Sequence, residues 1–436
     1  MTEPFDPGKA PLLADPLPAL SALRASDPIH WSPRYRAWLV TSYDDVRAGL
    51  NDARLSTGRA MPEPGNFPEH FRAVFADYRR YMDPWMVLRD PPDHTRLRGL
   101  VNKGLTPGAI EALRPRVEAL VGELLAVMPR TGEFDLIPSL AYPLPAAVIA
   151  ELIGVPGSVV NDLKRWSDGV ASSTATGTDI YSAAAAAVSE MGAYLAGFVA
   201  ERRGRPGNSV IDALIAAHDG EARLSSDELV GNLILLLFAG HETTTNLLAN
   251  GLRTLLLNPD QLADLKAHLD DVELVRNTVE EILRYDGALF LSFRVAKERF
   301  DWRGRTIRPG DRVFLYHLAA NHDPAAFAAP ERFDIRREDA RRHVAFGYGI
   351  HFCLGAPLAR LEMEVALPAL LRRYPELSLQ EDTVCWKDNF ALRGPKTLML
   401  GVGAKRGSGG EAKSSDWLGD VDSNHDKQSQ SLLSYR

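Results

Sequence analysis

Only two cysteines, Cys353 and Cys385, occur in 436 residues, too few for a disulfide framework or for a four-cysteine zinc or iron–sulfur site built by this chain alone. Any cysteine chemistry is that of a single thiolate. Positive charge is not in excess either: the formal net charge is -7 and no basic stripe follows a phosphate backbone, so nucleic acid is not an expected partner. Long apolar runs are also missing. The longest, residues 233–240, falls far short of the roughly 20 residues that span a bilayer. Residues 1–18 are acidic and proline-rich, without the layout of a signal peptide. A soluble, cytoplasmic protein with no membrane partner is expected. No Gly-x-Gly-x-x-Gly follows a strand-like run, so the chain carries no dinucleotide fingerprint of its own.

What is present is an ordinary globular composition, 45% hydrophobic and 25% charged, with no linker before about residue 404. Residues 1–403 read as a single domain. Residues 404–436, rich in Gly, Ser and Lys and without periodicity, read as a disordered tail. Short strand-like pieces at 28–31 and 37–41 precede a helical pattern at 43–50, and apolar positions at spacings of three and four dominate 107–283. Ser225 and Glu228 form a capping-box signature that opens an unusually long helical pattern, closed by Asn258-Pro259. Apolar residues surround that helix near 233–238, which marks a helix running through the core. Residues 300–316 alternate around Pro309-Gly310 as a hairpin would. The fold class is therefore mainly α with a minor antiparallel β region.

The segment Phe346-Gly347-Tyr348-Gly349-Ile350-His351-Phe352-Cys353-Leu354-Gly355 carries the most chemistry. Glycines before the cysteine allow a tight turn and close approach to a flat ligand, and Gly355 removes a side chain where that ligand would press on the following helix. Leu358, Leu361, Glu364 and Leu367 continue with helical spacing, so the sulfur sits at a helix N-terminus, where free N–H groups favour thiolate over thiol. A lone cysteine on its own is as often a small buried residue; the glycine spacing argues for the ligand. The segment resembles the haem-ligand loop of the cytochrome P450 family, Phe-Gly-x-Gly-x-His/Arg-x-Cys-x-Gly, with every fixed position filled. The resemblance implies that family's fold, with the long helix crossing a haem b held by Cys353 as metal ligand.

Further segments fit the same resemblance, which runs from about Pro28 to Gly401. Ala239-Gly240-His241-Glu242-Thr243-Thr244 interrupts an apolar helix with a small residue, an acid and hydroxyls. That favours a functional break over a Ser/Thr back-bonded kink with Glu242 in a solvated cleft. It matches the family's oxygen-activation motif, which implies catalytic roles for Glu242 and Thr243. His94 and Arg98 lie four apart on one helix face, suited to an anion or simply to water. The resemblance assigns them, with Arg294 and His351, to the haem propionates, and adds Ala239, Gly240, Phe346, Gly347 and Gly355 to the cofactor-binding set. Glu281 and Arg284, three apart, are a surface ion pair on spacing alone. By resemblance they join Arg332 of Pro330-Glu331-Arg332-Phe333 in a buried structural triad.

The implied activity is a monooxygenase that uses O2 and two electrons to hydroxylate or otherwise oxidise a small to medium apolar substrate. Two other readings are a peroxide-driven peroxygenase and a non-catalytic haem sensor; the intact acid–threonine pair argues against both. Electrons are expected ultimately from NAD(P)H through a separate ferredoxin or flavodoxin system. That donor would dock near Arg96, Arg341, Arg342, Arg372 and Arg373. Pocket segments implied by resemblance are 82–87, 171–180, 236–238, 287–293 and 390–392.

Overall fold

The computed structural model describes residues 14–58, 69–102, 104–172, 180–205, 207, 209–219, 224–380, 384–389 and 391–403. The helices used below are α1 (Tyr43–Leu50), α2 (Glu69–Met82), α3 (Asp93–Asn102), α4 (Pro143–Ile153), α5 (Val160–Ser172), α6 (Ile180–Arg202), α7 (Ser226–Leu257), α8 (Val272–Asp286) and α9 (Ala356–Arg373). The strands are β1 (Ile29–Ser32), β2 (Ala37–Val40), β3 (Leu55–Ser56), β4 (Gly132–Asp135), β5 (Leu291–Ala296), β6 (Phe300–Trp302), β7 (Arg305–Ile307), β8 (Arg312–Tyr316), β9 (Leu377–Leu379) and β10 (Met399–Val402).

Helix α7 is the axis of the helical part. Ser225 accepts from the Glu228 N–H and Glu228 answers at the Ser225 N–H, completing the expected capping box. Its 32 residues make a rod of about 48 Å. Every residue from Leu229 to Leu237 is buried, because α2, α4, α6, α8 and α9 all pack against it. The helix runs unbroken through 239–244, so the expected break is absent. Thr243 Oγ1 donates to the Ala239 carbonyl at 2.9 Å and Thr244 Oγ1 to the Gly240 carbonyl at 3.5 Å, without interrupting the ladder. Segment 183–202 is long and apolar enough to cross a membrane by length and composition. Here it lies within α6, packed on α5, α2 and α7.

The β part is a five-stranded sheet in the order β1-β2-β8-β5-β3, a three-stranded sheet β4-β10-β9 and a two-stranded ribbon β6-β7. The pairs are antiparallel except β2 with β8, which are parallel. The ribbon turns at Arg303-Gly304, both with positive φ, and not at Pro309-Gly310 as the alternation suggests. Pro309-Gly310 instead carries the chain from β7 into β8, which leaves the ribbon to pair with β5. Strand β4 also interrupts the stretch 107–283 in which helical spacing dominates, pairing with β10 near the end of the described chain.

Beneath the cysteine side lies a buried ion cluster. Arg284 Nε and Nη2 donate to Glu281 at 2.7 and 2.8 Å, and both side chains are fully buried. The third member is Arg337, whose Nε donates to Glu281 Oε1 at 3.2 Å. Arg332, expected in that place, contributes only its carbonyl, to Arg284 and Arg337; its side chain is exposed.

Candidate functional site

A cavity of about 310 Å³ opens between α7 and the cysteine loop. Ala239, Gly240, Thr243, Thr244 and Leu247 form one wall, and Phe346, Gly347, Cys353, Gly355, Leu358 and Ala359 the other. Ala239 is exposed in the middle of a core helix, and it faces this space. Gly240 has a packing reason as well: a Cβ there would meet Ile149 of α4 at 2.5 Å.

Backbone geometry shapes the cysteine wall. Gly347 and Gly349 have φ of 75° and 74°, where a side chain is strained, and a Cβ on Gly349 would also meet Asn51 Oδ1 at 2.4 Å. The Cys353 N–H donates to the Phe346 carbonyl at 2.9 Å, closing the loop. Gly355 caps α9 with an ordinary negative φ. A Cβ there would meet only the Cys353 sulfur, at 4.0 Å, leaving open space for a flat ligand. Burial pushes the Cys353 thiol up; the Gly355 and Ala356 N–H groups and the Arg98 and Arg360 charges oppose this only in part. The helix terminus alone therefore does not offset the burial of the sulfur.

His94, Arg98, Arg294 and His351 all line the cavity. The His94 and His351 rings lie 4.3 Å apart between centroids, and His94 Nδ1 is buried with no partner among the described residues. Arg98 Nη2 donates to the Phe352 carbonyl at 2.6 Å. Arg294 is buried and donates to its neighbour's carbonyl, Phe293 O, at 2.8 Å. Among the described residues no carboxylate pairs with either guanidinium. Burial lowers Arg294 to about 10, and burial with the Arg294 and His94 charges pushes His351 down to about 3. Two guanidiniums with no carboxylate partner among the described residues and two imidazoles, one with an idle nitrogen, form a cradle for paired carboxylates. The haem propionates fit it.

Glu242 does not line the cavity. It is buried beside it, where Lys387 Nζ donates to Glu242 Oε1 at 2.6 Å and to Asn246 Oδ1 at 3.0 Å. Burial acts to raise the Glu242 carboxyl, but Lys387, His241 and Asn246 outweigh it and hold the group below its usual value. The sequence reading missed Lys387; nothing in its spacing, 145 residues from Glu242, signals the pairing. It also missed Leu247, which the four-residue step from Ala239 to Thr243 could have found. Of the expected pocket segments, Met86, Val87, Leu236, Ala288, Leu289 and Ser292 reach the cavity. Residues 173–179 and 390 lie outside the described residues.

A family model described as Cytochrome P450 matches residues 174–402. The chain is 41% identical over 400 residues to cytochrome P450 monooxygenase PikC of Streptomyces venezuelae, covering 89% of this chain and 91% of that one. It is 41% identical over 364 residues to 6-deoxyerythronolide B hydroxylase of Saccharopolyspora erythraea, covering 82% and 88%. Among solved structures, P450BioI in complex with an acyl carrier protein bearing hexadec-9Z-enoic acid superposes with a TM-score of 0.83 at 33% identity, over 90% of this chain and 99% of that one. PksS of Bacillus subtilis superposes with a TM-score of 0.82 at 35% identity, over 92% and 100%. The family model covers both the α7 wall and the cysteine loop, and the relatives are matched over more than four fifths of their length, and so the protein belongs to the cytochrome P450 family, as a bacterial-type monooxygenase that works with haem b and a separate electron donor.

Proposed function

We propose that Cys353 would hold the iron of haem b, that His94, Arg98, Arg294 and His351 would hold its propionates, and that Glu242 and Thr243 would move protons. Ala239, Gly240, Phe346, Gly347 and Gly355, which line the same cavity, would complete the cofactor-binding walls. Bound there, haem supplies O2 activation and transfer of one oxygen atom to an apolar substrate. The observation that carries this reading is the buried Arg294: among the described residues no carboxylate is bonded to its guanidinium, which is costly in a dry site, and the ligand's carboxylates would relieve that cost. Thr243 sits on the cavity wall and Glu242 behind it, so Glu242 reaches the cavity only by leaving Lys387. While that ion pair is closed, the Glu242 carboxylate is ionised and accepts from Lys387 rather than exchanging a proton with the cavity.

The donor is a ferredoxin or flavodoxin in the cytoplasm, reduced ultimately by NAD(P)H, that approaches beside the exposed Tyr348, Ile350 and Phe352 of the cysteine loop. Residues 1–403 act as one catalytic unit and 404–436 as an appendage, so a chain ending at 403 keeps full haem content and substrate binding. The lining of the cavity is largely aliphatic and suits an apolar substrate. The relatives' names make polyketide-derived compounds the class to screen first. The reduced carbon monoxide spectrum tests the ligand assignment: Cys353→Ser loses the red-shifted thiolate band completely, and Cys385→Ser, at an exposed position, keeps it. The opposite pattern overturns the assignment.

A further inference from the structure

Glu280 and Glu281 are neighbours on α8 with separate tasks. Glu281 is taken up by Arg284 and Arg337. Glu280, one residue earlier and about 100° round the helix, turns to the cysteine side. There it accepts from Arg360 Nε at 2.6 Å and Nη2 at 3.0 Å, and its Oε2 lies 3.0 Å from His343 Nε2. The other ring nitrogen, His343 Nδ1, accepts the Ala345 N–H at 3.1 Å, which places the ring proton on Nε2 and makes His343 a donor to Glu280 while neutral. The side chains of Glu280 and His343 are only 6% and 3% exposed.

The Arg360 guanidinium carbon stands 4.7 Å from the centroid of the Phe346 ring. Phe346 in turn lines the cavity and takes the Cys353 N–H on its carbonyl. Arg360, against Phe346, and Arg98, whose Nη2 donates to the Phe352 carbonyl at 2.6 Å, are both cations that stand against the cysteine loop. They differ in one respect: Arg98 has no acid partner among the described residues, whereas the charge of Arg360 is offset by a bidentate carboxylate. The Glu280 carboxylate therefore offsets the Arg360 charge beside the loop that carries the sulfur, a charge only partly screened because the Arg360 side chain is 29% exposed.

We propose that Glu280, Arg360 and His343 form a charge clamp behind the cysteine loop that sets how readily the centre held by Cys353 accepts its first electron. The inference rests on Cys353 being the ligand. Glu280 and Arg360 are positioning residues in this scheme; neither touches the reacting atoms. Adding an electron is favoured by an unbalanced cation nearby, so loss of the Glu280 charge favours the reduced state and loss of the Arg360 charge the oxidised one.

Spectroelectrochemical titration of the purified holoenzyme and its variants tests the clamp. Glu280→Gln is expected to move the one-electron equilibrium about tenfold toward the reduced form, about 59 mV. Arg360→Gln moves it in the opposite direction, and Arg360→Lys, which keeps the charge, stays within about threefold of the parent. Should Glu280→Gln not be obtained with haem, the difference between Arg360→Gln and Arg360→Lys carries the same discrimination. Midpoints within about twofold of the parent in both charge-removing variants, accompanied only by lower melting temperatures, make the cluster structural and overturn the proposal. A parent enzyme without the thiolate carbon monoxide band would instead overturn the ligand reading beneath it.

Discussion

On the cysteine side of the cavity, the shape is written in ten consecutive residues: Gly347 and Gly349 hold positive φ, the Phe346 carbonyl takes the Cys353 N–H, and α9 starts at once behind Gly355. On the α7 side, the helix supplies Thr243 and Glu242, but what Glu242 does is decided by Lys387, from a loop 145 residues away. One wall is fixed by local backbone conformation and the other by tertiary contact. Substitutions should accordingly act on the first through ligation and stability, and on the second through proton traffic with ligation intact. After the complete spectral loss expected of Cys353→Ser, the sharpest attempt to break this division lies beneath the cysteine wall. Arg337→Ala leaves Glu281 and Arg284 buried with one cation too few for their hydrogen bonds, and a cost of about 3–5 kcal/mol is expected in denaturant unfolding. Arg332→Ala, which removes an exposed side chain and keeps the carbonyl, should stay within about 0.5 kcal/mol. Equal losses in the two would restore Arg332 to the cluster.

The α7 wall is probed by Lys387→Met. With Lys387 present, Glu242 titrates below its usual value, so its contribution to stability is in place above the unfolded carboxyl pKa of about 4.3 and is lost as pH falls through the folded value. Without Lys387, burial is opposed only by His241 and Asn246 and is expected to raise the group. Glu242 then takes up a proton on folding, and its contribution is lost as pH rises instead. The acid limb of the stability curve should therefore weaken or reverse, with the thiolate band unchanged; an unaltered curve would remove Lys387 from control of Glu242. Thr243→Ala acts on proton delivery alone. Product formed per electron should fall roughly ten- to hundredfold, the remainder going to peroxide, while haem content and ferric substrate binding stay as in the parent. Unchanged coupling would take Thr243 out of the mechanism.

What the sequence made legible follows the same division. The cysteine loop, the capping box of α7 and the pair His94 and Arg98 on α3 are local patterns, and each stands where spacing placed it. Local signals misled where two of them competed: Pro-Gly is the stronger turn signal than Arg-Gly, yet the ribbon turns at Arg303-Gly304 because β8 is drawn off into the larger sheet. Spacing could not say that Arg332 offers a carbonyl where Arg337 offers a guanidinium, since which way a loop side chain points is a tertiary matter. Nor could it show that Gly240 is small for the sake of Ile149. The expectation of a break at 239–244 failed because the buried acid there has a partner after all.

The smallest expected effect concerns the outer surface of the cysteine side, where the structure divides the five arginines proposed to meet an electron donor. Arg96 is committed to Glu228 at the start of α7, and Arg372 to Asp270 and the Leu269 carbonyl. Arg373 stacks on Tyr374, and Arg342 on Tyr43 and Phe327, so reversing either charge would disturb packing as well. Arg341 is 62% exposed, with Glu273 no nearer than 3.8 Å, an arrangement that contributes little to stability. It is therefore the residue whose charge can be reversed with least structural consequence. If an acidic donor is steered to this face, Arg341→Glu should slow first-electron transfer by roughly tenfold at low salt. The deficit should fade as the ionic strength passes about 0.15 M, because steering acts on encounter and is screened beyond about 8 Å. Ferric substrate affinity should not move, and Arg96→Glu, on the α7 side, should leave the salt dependence of electron transfer as it was. A deficit in Arg341→Glu that persists at high salt would mean that Arg341 touches the donor directly in the docked complex, and equal deficits in both variants would mean that the donor does not distinguish the two faces.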